Sequence, residues 1–313
     1  MNPAPPRQQH ERSAQEPPEL EALPAQVDVP LLRRVLAAGR PAARAGDSDD
    51  VVLCAHGLGH DAWDWTPLQE RRPADVAVVA PDLPGFGPGR IDDDAPRPVV
   101  LAELVTALVD AAAACRRRPV LVASSLGGHA ALLAALQHPG VFAGLVLLAP
   151  GGLVEVPAAM QSMLRAYYSA ESILGRPEEE IARNSRRIFC RPHPLGDQLV
   201  RRKLALHKSP RAVRERFAVP FASLCDDVFK RPVLAQVQQL KGLPISVIFG
   251  DGDVVVPLSS GRILEDRCGA RLHILRGVGH CPHLEDADAT AAIVFAFAQS
   301  AFASAQKDTH VPR

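Results

Sequence analysis

Short apolar runs that alternate with longer amphipathic stretches are the feature of this sequence that most constrains its fold. Continuous apolar runs such as residues 51–55 and 144–148 are typical of strands that are covered on both faces. The longer stretches between such runs place apolar residues near the helical period. This alternation favours crossover units that feed a largely parallel sheet, so we predict an α/β fold.

The predicted elements follow this alternation along the chain. We predict a sheet of about eight strands with helices on both faces. The strands are expected at residues 26–29, 32–37, 51–55, 76–80, 119–124, 144–148, 245–249 and 271–275. The helices between them are expected at residues 99–115, 126–138, 258–268 and 286–303.

Two kinds of segment depart from this pattern and divide the chain. Residues 1–25 are rich in Pro, Gln, Glu and Arg without an apolar period, which predicts a disordered N-terminal tail. Residues 151–241 read as successive helices with no convincing strand, and basic residues outnumber acidic ones there. We therefore predict a helical cap inserted into a core formed by residues 26–150 and 242–303, with a C-terminal tail at 304–313.

Composition limits the partners that the chain can have. Its 313 residues are 47% hydrophobic, and the 35 Lys and Arg balance the 35 Asp and Glu. A balanced charge gives no long-range attraction to nucleic acid or to an anionic membrane, so we expect a small-molecule partner. Six cysteines without framework spacing predict reduced thiols in a cytoplasmic protein. Residues 31–45 loosely imitate an export signal, but their apolar run is too short.

The strongest local signal is a buried strand that turns abruptly into a helix at Ser124-Ser125-Leu126-Gly127. A serine on such a turn projects its hydroxyl above the edge of the sheet. The strained backbone needs small residues two positions before and two after that serine. Ala123 and Gly127 meet this requirement for Ser125, whereas the positions flanking Ser124 are bulky. Ser125 is therefore the predicted nucleophile, with Ala123 standing where the usual G-x-S-x-G pattern has glycine.

With this turn in place, residues 26–303 resemble the α/β-hydrolase superfamily. His56-Gly57-Leu58-Gly59 is similar to the H-G-x-G turn of that family, and the resemblance implies that Leu58 N–H is one oxyanion donor. The implied second donor is Leu126 N–H, in the first turn of a helix. The segment from Asp82 to Gly87 resembles the family's D-x-P-G-F/Y-G loop, which we interpret as a structural turn.

A serine nucleophile needs a histidine base, and the base needs a carboxylate that fixes its tautomer. Gly277-Val278-Gly279-His280 matches the family's G-x-G-H loop, so His280 is the predicted base, with His283 as the fallback. The segment from Gly250 to Pro257 resembles G-x-x-D-x-x-x-P, in which Asp253 is the acid and Asp251 a turn former. The resulting order of serine, aspartate and histidine is the one expected for this fold.

A serine at the turn predicts acyl transfer, and our leading hypothesis is a carboxylic ester hydrolase that works through an acyl-enzyme. A carbon–carbon bond hydrolase of the meta-cleavage type and an acyltransferase are the alternatives within enzymes. A non-catalytic ligand-binding module is the alternative outside them. The sequence has no phosphate loop, zinc spacing or dinucleotide fingerprint, so we predict no cofactor and no metal.

The first predicted helix of the cap carries Met160, Met163 and Tyr167 on one face. Core packing is the simpler explanation of such a stripe, and an apolar pocket for an acyl group is the alternative. We therefore treat these residues as candidates for substrate binding. The arginines of the cap also raise the hypothesis of a substrate with a remote carboxylate.

Overall fold

The computed structural model describes residues 42–87 and 95–308. Within them, seven strands form one sheet in the order β1-β3-β2-β4-β5-β6-β7. The strands are β1 (Ala42–Ala45), β2 (Val51–Ala55), β3 (Ala77–Pro81), β4 (Val120–Ser124), β5 (Gly144–Leu148), β6 (Ile245–Gly250) and β7 (Arg271–Leu275). β1 pairs with β3 in the antiparallel sense, and the other pairings in this sheet are parallel. The predicted α/β-hydrolase fold is confirmed.

The helices lie between these strands and in one long insertion. They are α1 (Thr66–Glu70), α2 (Leu101–Ala113), α3 (Leu126–Gln137), α4 (Ala158–Tyr167), α5 (Ala170–Leu174), α6 (Glu178–Arg186), α7 (Pro194–His207), α8 (Arg211–Lys230), α9 (Ser259–Cys268), α10 (Pro282–Glu285) and α11 (Ala287–Asp308). Two short 3-10 helices cover Ala62–Trp65 and Val237–Leu240.

Helices cover both faces of the sheet, which explains its continuous apolar runs. Every residue of the five strands from β2 to β6 is buried. On one face, the side chains of β2, β4 and β6 pack against α2, α3 and α9. On the other face, they pack against α1 and α11. Burial on both faces is what a parallel sheet with crossover helices requires.

The observed strands follow the predicted ones closely where the two can be compared. The strands predicted at residues 26–29 and 32–37 lie outside the described residues. β1 was not among the predicted strands, because Ala42–Ala45 has neither alternation nor β-branched residues. Its place in the sheet comes from pairing with β3, a long-range interaction that local propensity does not report.

The C-terminal helix α11 is longer than predicted and continues past residue 303, into the predicted tail, to Asp308. Within the part of the chain that the structure describes, one helix, Ala287–Lys307, has the length and composition of a membrane span. Val294, Ala298 and Phe302 of this helix are buried in the core against the sheet. A helix in the core of a protein can have the same length and composition as a membrane span, and α11 is packed in the way such a core helix is.

Residues 151–241, all of which are described, contain helices and no strand. Its long helix α8 packs beside Gly59 and Gly85, in the turns that follow β2 and β3. The Asp227 carboxylate accepts a hydrogen bond from Leu101 N–H at 2.8 Å, at the start of α2. The Ser223 hydroxyl lies 2.9 Å from both the N–H and the carbonyl of Val99. Both contacts join the insertion to the segment that begins α2.

Candidate active site

Ser125 lies at the turn between β4 and α3, in a backbone conformation that is rare for a residue with a side chain. Its φ of 50° and ψ of −111° lie outside the helical and extended regions. The turn is held on both sides, because Ser125 N–H donates to Leu148 O at 2.9 Å and Gly151 N–H donates to Ser125 O at 3.0 Å. Such strain persists only where the surroundings determine the conformation, and it is typical of functional sites.

The small residues around Ser125 have a direct steric reason. A Cβ atom on Gly127 would lie 2.5 Å from Ala55 O, so α3 passes against the end of β2 too closely for any side chain. Ala123 is fully buried in β4, and its methyl group is accommodated there. Ser124 is the last residue of β4, where it pairs with Leu148 and is buried. The strained position therefore belongs to Ser125, as the flanking residues predict.

His280 and Asp253 form a hydrogen-bonded pair on two loops that follow β7 and β6. The distance from His280 Nδ1 to Asp253 Oδ2 is 2.9 Å, and both side chains are nearly inaccessible to solvent. The other carboxylate oxygen of Asp253 accepts from Val255 N–H at 2.7 Å and from Val256 N–H at 3.0 Å. The carboxylate is thus fixed in orientation, and it fixes the orientation of the imidazole.

Asp251 joins two loops, whereas the sequence predicted a local turn former that bonds nearby backbone. Its carboxylate accepts from Gly277 N–H at 2.6 Å, which joins the loop after β6 to the loop that carries His280. This contact holds together the loops that carry the aspartate and the histidine of the pair.

Glu285, in α10, organises the His280 loop, and sequence reasoning missed it. Its carboxylate accepts from Gly279 N–H at 2.9 Å and from Cys281 N–H at 3.3 Å. It also accepts a hydrogen bond at 2.7 Å from the N–H of Cys190, which belongs to the insertion. No local motif marks a glutamate at this spacing, so its role becomes visible only in three dimensions.

The His56-Gly57-Leu58-Gly59 turn lies directly beside Ser125. A Cβ atom on Gly57 would be 3.5 Å from the Ser125 Cβ, which is ordinary contact distance. His60 N–H donates to Gly57 O at 3.3 Å and closes the turn. Gly59 has a φ of 71°, the value that the third residue of a type II turn requires. Leu58 is the second residue of this turn, and Leu126 is the first residue of α3, where an N–H has no partner within its helix.

His56 joins this turn to the Asp82–Gly87 loop. Leu83 N–H donates to His56 Nε2 at 2.9 Å, so the proton of the neutral ring is on Nδ1, which lies 2.8 Å from Gly57 O. Burial lowers the pKa of His56 to about 4, against the weaker opposite effects of the Gly57 contact and of Asp64 and Asp61. The ring is therefore neutral at pH 7 and acts as a structural link, in agreement with its interpretation as part of the turn.

A second buried cluster lies behind the turn. Asp64 Oδ2 is 2.7 Å from His60 Nδ1 and 3.7 Å from His283 Nε2, and the His283 ring stacks on Trp65 at 4.7 Å. Burial opposes ionisation of Asp64, but the two histidines hold its pKa well below the usual range. His283 is thereby engaged with Asp64 rather than with Asp253.

Asp82 is also buried, and it holds the start of the first 3-10 helix. Its carboxylate accepts from Ala62 N–H at 2.8 Å. Burial raises the pKa of Asp82 to about 7, although the Ala62 hydrogen bond opposes this shift. Gly87 has a φ of 89°, and a Cβ there would collide with the Asp82 carboxylate, so the loop needs this glycine. These contacts agree with the interpretation of the loop as a structural turn.

The candidate substrate residues of α4 are not brought to Ser125 by any contact in the structure. α4 has no buried residue, and the exposed fractions are 52% for Met160 and 72% for Met163. The core-packing explanation of the stripe is therefore wrong. The Tyr167 hydroxyl lies 2.9 Å from both Glu180 Oε1 and Asn184 Nδ2, within the insertion. The use of these residues in substrate binding stays a prediction.

Aromatic residues of α8, which the sequence did not single out, lie beside the turn instead. A Cβ atom on Gly59 would lie 2.7 Å from the Phe221 ring and 3.1 Å from the Phe217 ring, so both rings pack closely against this glycine. The Phe86 ring lies between His56 and Phe217, at centroid distances of 5.8 and 6.1 Å.

Across residues 42–87 and 95–308, no group of three or more His, Cys, Asp or Glu could hold a metal ion.

This combination of sheet, strained serine turn and His–Asp loops defines a class of protein, the α/β hydrolases. The α/β hydrolase family model matches residues 51–293, so this chain belongs to that family. Its homologues and structural neighbours in the family are hydrolases and esterases.

Two curated relatives illustrate the range of activities. The chain is 28% identical over 259 residues to the pimeloyl-[acyl-carrier protein] methyl ester esterase of Neisseria meningitidis serogroup B, covering 79% of this chain and 92% of that protein. It is 27% identical over 260 residues to the 2-hydroxy-6-oxo-6-phenylhexa-2,4-dienoate hydrolase of Burkholderia cepacia, covering 78% and 86%.

Solved structures resemble the chain over a similar extent. An esterase from Exiguobacterium antarcticum superposes with a TM-score of 0.69 at 15% identity, covering 83% of this chain and 95% of that one. The 2-hydroxy-6-oxo-6-phenylhexa-2,4-dienoate hydrolase of Rhodococcus sp. strain RHA1 superposes with a TM-score of 0.65 at 22% identity, covering 82% and 94%. At these identities the likeness establishes the fold alone.

Proposed function

We propose that this protein is a serine hydrolase that cleaves a carboxylic ester through an acyl-enzyme intermediate. The observation that carries the proposal is the position of Ser125. It has a strained backbone conformation, lies beside the His56–Gly59 turn, and stands at the same edge of the parallel sheet as the two loops that carry the hydrogen-bonded His280–Asp253 pair. A nucleophile, a base and an orienting carboxylate are the groups that acyl transfer needs.

In the proposed mechanism, His280 Nε2 accepts the proton of the Ser125 hydroxyl while Oγ attacks the ester carbonyl. The Leu58 and Leu126 N–H groups donate to the oxyanion that forms. The leaving alcohol takes the proton from His280, and the acyl group remains on Ser125. A water molecule then gives a proton to the same histidine and attacks the acyl carbonyl, and the histidine returns that proton to Ser125 Oγ as the bond to Oγ breaks and the acid leaves. Asp253 holds the imidazole with Nδ1–H directed at its carboxylate throughout.

We propose that residues 151–241 form a cap over this site. Support comes from contacts that the insertion makes with the loops after β3 and β7, which leave the parallel strands at the same edge of the sheet as Ser125. Pro220 packs on Gly85, where a Cβ would lie 2.6 Å away, and Ile188 O accepts from His280 N–H at 2.7 Å. A cap in this position would exclude water and select the substrate. Because α4 is exposed, we propose that substrates are selected at the outer side of the cap by contacts with Met160, Met163 and Tyr167.

Two related reactions use the same groups and remain alternatives. The Burkholderia relative is named a 2-hydroxy-6-oxo-6-phenylhexa-2,4-dienoate hydrolase and the Neisseria relative a methyl ester esterase, at nearly equal identity, so we keep the carbon–carbon bond hydrolase as an alternative. Acyltransfer requires only that another nucleophile replaces water in the second step. A ligand-binding module without catalysis is disfavoured by the presence of both the serine turn and the His–Asp pair.

We also propose a cytoplasmic location, for which the support is that all six cysteines are free.

The decisive experiment begins with a fluorophosphonate probe, applied to the wild-type protein and to Ser125→Ala. We expect labelling of the wild type alone. The wild type is then assayed with p-nitrophenyl esters of graded chain length, a thioester and a vinylogous 1,5-diketone, with and without an added alcohol. Preference for the esters, without transfer to the alcohol, supports the proposal. Faster cleavage of the diketone would favour the carbon–carbon hydrolase, and absence of labelling would contradict a serine hydrolase.

A further inference from the structure

A lysine of the insertion contacts the turn that carries the first proposed oxyanion donor. The Lys203 ammonium, on α7, donates a hydrogen bond to the backbone carbonyl of Gly59. Its Nζ also lies 4.9 Å from the centroid of the Phe217 ring, on α8. Phe217 itself approaches Gly59. The ammonium is therefore held between the turn and an aromatic face of the insertion, where a cation interacts favourably with the ring.

This contact acts on the peptide group that closes the turn. Gly59 O belongs to the peptide whose N–H is that of His60, and His60 N–H donates to Gly57 O at 3.3 Å. Both ends of that peptide group are thus held by hydrogen bonds. Gly57 O, which accepts from His60 N–H, belongs to the same peptide group as Leu58 N–H. The direction of Leu58 N–H therefore depends on the orientation of the Gly59–His60 peptide group.

The charges that face Lys203 leave its positive charge available to the turn. From the start of the first 3-10 helix, Asp61 and Asp64 face it, but Asp61 Oδ2 pairs with Arg202 Nη2 at 2.5 Å and Asp64 Oδ2 with His60 Nδ1 at 2.7 Å. Within residues 42–87 and 95–308, no carboxylate lies within ion-pair distance of Lys203 Nζ. A partly buried cation without a paired anion acts strongly on its surroundings, because the local dielectric is low.

We propose that Lys203 is a positioning residue of the oxyanion turn: its ammonium holds the Gly59 carbonyl, directs Leu58 N–H toward the reacting carbonyl and adds positive charge where the oxyanion forms. The inference rests on the proposed function, since it concerns the Leu58 donor. It assigns part of the transition-state stabilisation to the insertion, beyond the exclusion of water and the choice of substrate.

The test compares three variants with the wild type on a short p-nitrophenyl ester. Lys203→Met removes the charge and the donor, and Lys203→Arg keeps both. Arg201→Met removes a positive charge from an exposed position of the same helix and is the matched control. We expect Lys203→Met to lower kcat about 10-fold with KM changed less than about twofold, a smaller loss than the roughly 100-fold cost of removing an oxyanion donor. Lys203→Arg should recover most of kcat, and Arg201→Met should retain all of it.

The pH profile separates this role from a merely structural one. Burial lowers the pKa of Lys203 to about 8; Asp61 and Asp64 oppose this shift and Arg202 adds to it. Because the charge is lost as pH rises through this pKa, kcat of the wild type should fall above about pH 8 to the level of Lys203→Met. Lys203→Met should show no such step, and Lys203→Arg should keep its rate to higher pH.

Melting temperatures and fluorophosphonate labelling are measured on the same samples. If the wild type neither hydrolyses the ester nor reacts with the probe, the proposed function fails and the inference fails with it. If the wild type is active and Lys203→Met keeps its kcat and its alkaline step, the inference alone is overturned. A loss in Lys203→Met that Lys203→Arg does not recover, or an equal loss in Arg201→Met, would also overturn it. A selective loss of kcat, recovered by arginine, is the result expected.

Discussion

Asp227 is the residue whose replacement tests most directly how the insertion is attached to the core. It lies on α8 and is 6% exposed. One carboxylate oxygen accepts from Leu101 N–H at 2.8 Å, and the other lies 3.2 Å from Arg231 Nε. The residue before α2 is Val100, which has no side chain able to cap the helix. Asp227 therefore supplies from a distance the negative charge and acceptor that a helix N-terminus favours.

The expected loss in Asp227→Ala follows from these contacts. A hydrogen bond to a charged group contributes about 1.5 to 3 kcal/mol, and a favourable charge at a helix terminus up to about 2 kcal/mol. These two free energies describe the same carboxylate in the same position, so they overlap and are not added. We expect the free energy of unfolding to fall by about 2 to 3 kcal/mol, with a decrease in Tm on the order of 5 °C.

Asp226 is the matched control, because it is the adjacent aspartate on the same helix. Its carboxylate is one-third exposed and pairs with Arg165 and Lys230 at the surface. Asp226→Ala should cost less than about 1 kcal/mol, as surface ion pairs do. Urea denaturation followed by circular dichroism measures both variants, and Asp227→Asn should lie between wild type and Asp227→Ala. Equal losses at the two aspartates would refute the assignment of Asp227 as a remote cap.

The remaining predictions concern Ser125 and its surroundings. Ser125→Ala should lower kcat for a p-nitrophenyl ester on the order of 10^4-fold without a change in Tm, and Ser124→Ala far less; the reverse order would contradict the assignment of the serine. Gly127→Ala should lower stability by more than about 2 kcal/mol, because its Cβ would lie 2.5 Å from a backbone oxygen, while Gly151→Ala, with its nearest atom at 3.6 Å, should be tolerated. Similar melting temperatures for these two variants would rule out the steric explanation. Burial lowers the pKa of His129 to about 4, so the folded state resists a proton that the unfolded chain accepts near pH 6.5. Stability should therefore fall from pH 6.5 to pH 4, and His129→Gln should reduce that slope by about 1.4 kcal/mol per pH unit in urea denaturation; unchanged slopes would refute this.

The parts of the site that the sequence could predict depend on local backbone geometry. The strand, the strained turn and the helix around Ser125 are consecutive, and the need for small neighbours can be read two positions away on either side. The close approach of Gly127 to Ala55 O is the physical cause of that pattern. The loops of Asp253 and His280 were also predictable, because each follows a strand and the ends of parallel strands meet at one edge of the sheet.

Contacts between distant parts of the chain were not predictable in the same way. Asp227 and Leu101 are 126 residues apart, and Lys203 and Gly59 are 144 apart. In each pair one partner is a backbone group, whose chemistry is the same for every residue type apart from the missing N–H of proline. No sequence pattern can therefore mark it, and only the fold brings the partners together.

The methionine stripe of α4 illustrates a different limit. The helical period correctly predicted an amphipathic helix, and the observed α4 ends at Tyr167. Periodicity reports that one face is apolar, but it does not report what that face meets. The face is exposed, with Met163 at 72%. The two exposed methionines of this face keep their packing energy available for a substrate or another surface, whereas Tyr167 is held by contacts within the insertion.

The insertion thus combines two regions with different physical constraints. α8 is fixed to the core through Asp227, and the segment from Ile188 to Cys190 bonds to the His280 loop. Changes in the segment from Ile188 to Cys190 would move the backbone of the loop that carries His280, the proposed base, and small displacements of a catalytic group are costly for the reaction. α4 has no buried residue, so its side chains can change without repacking the core. Variation in substrate choice is therefore expected at α4, and variation in kcat at α7 and α8, although all three helices belong to one continuous insertion.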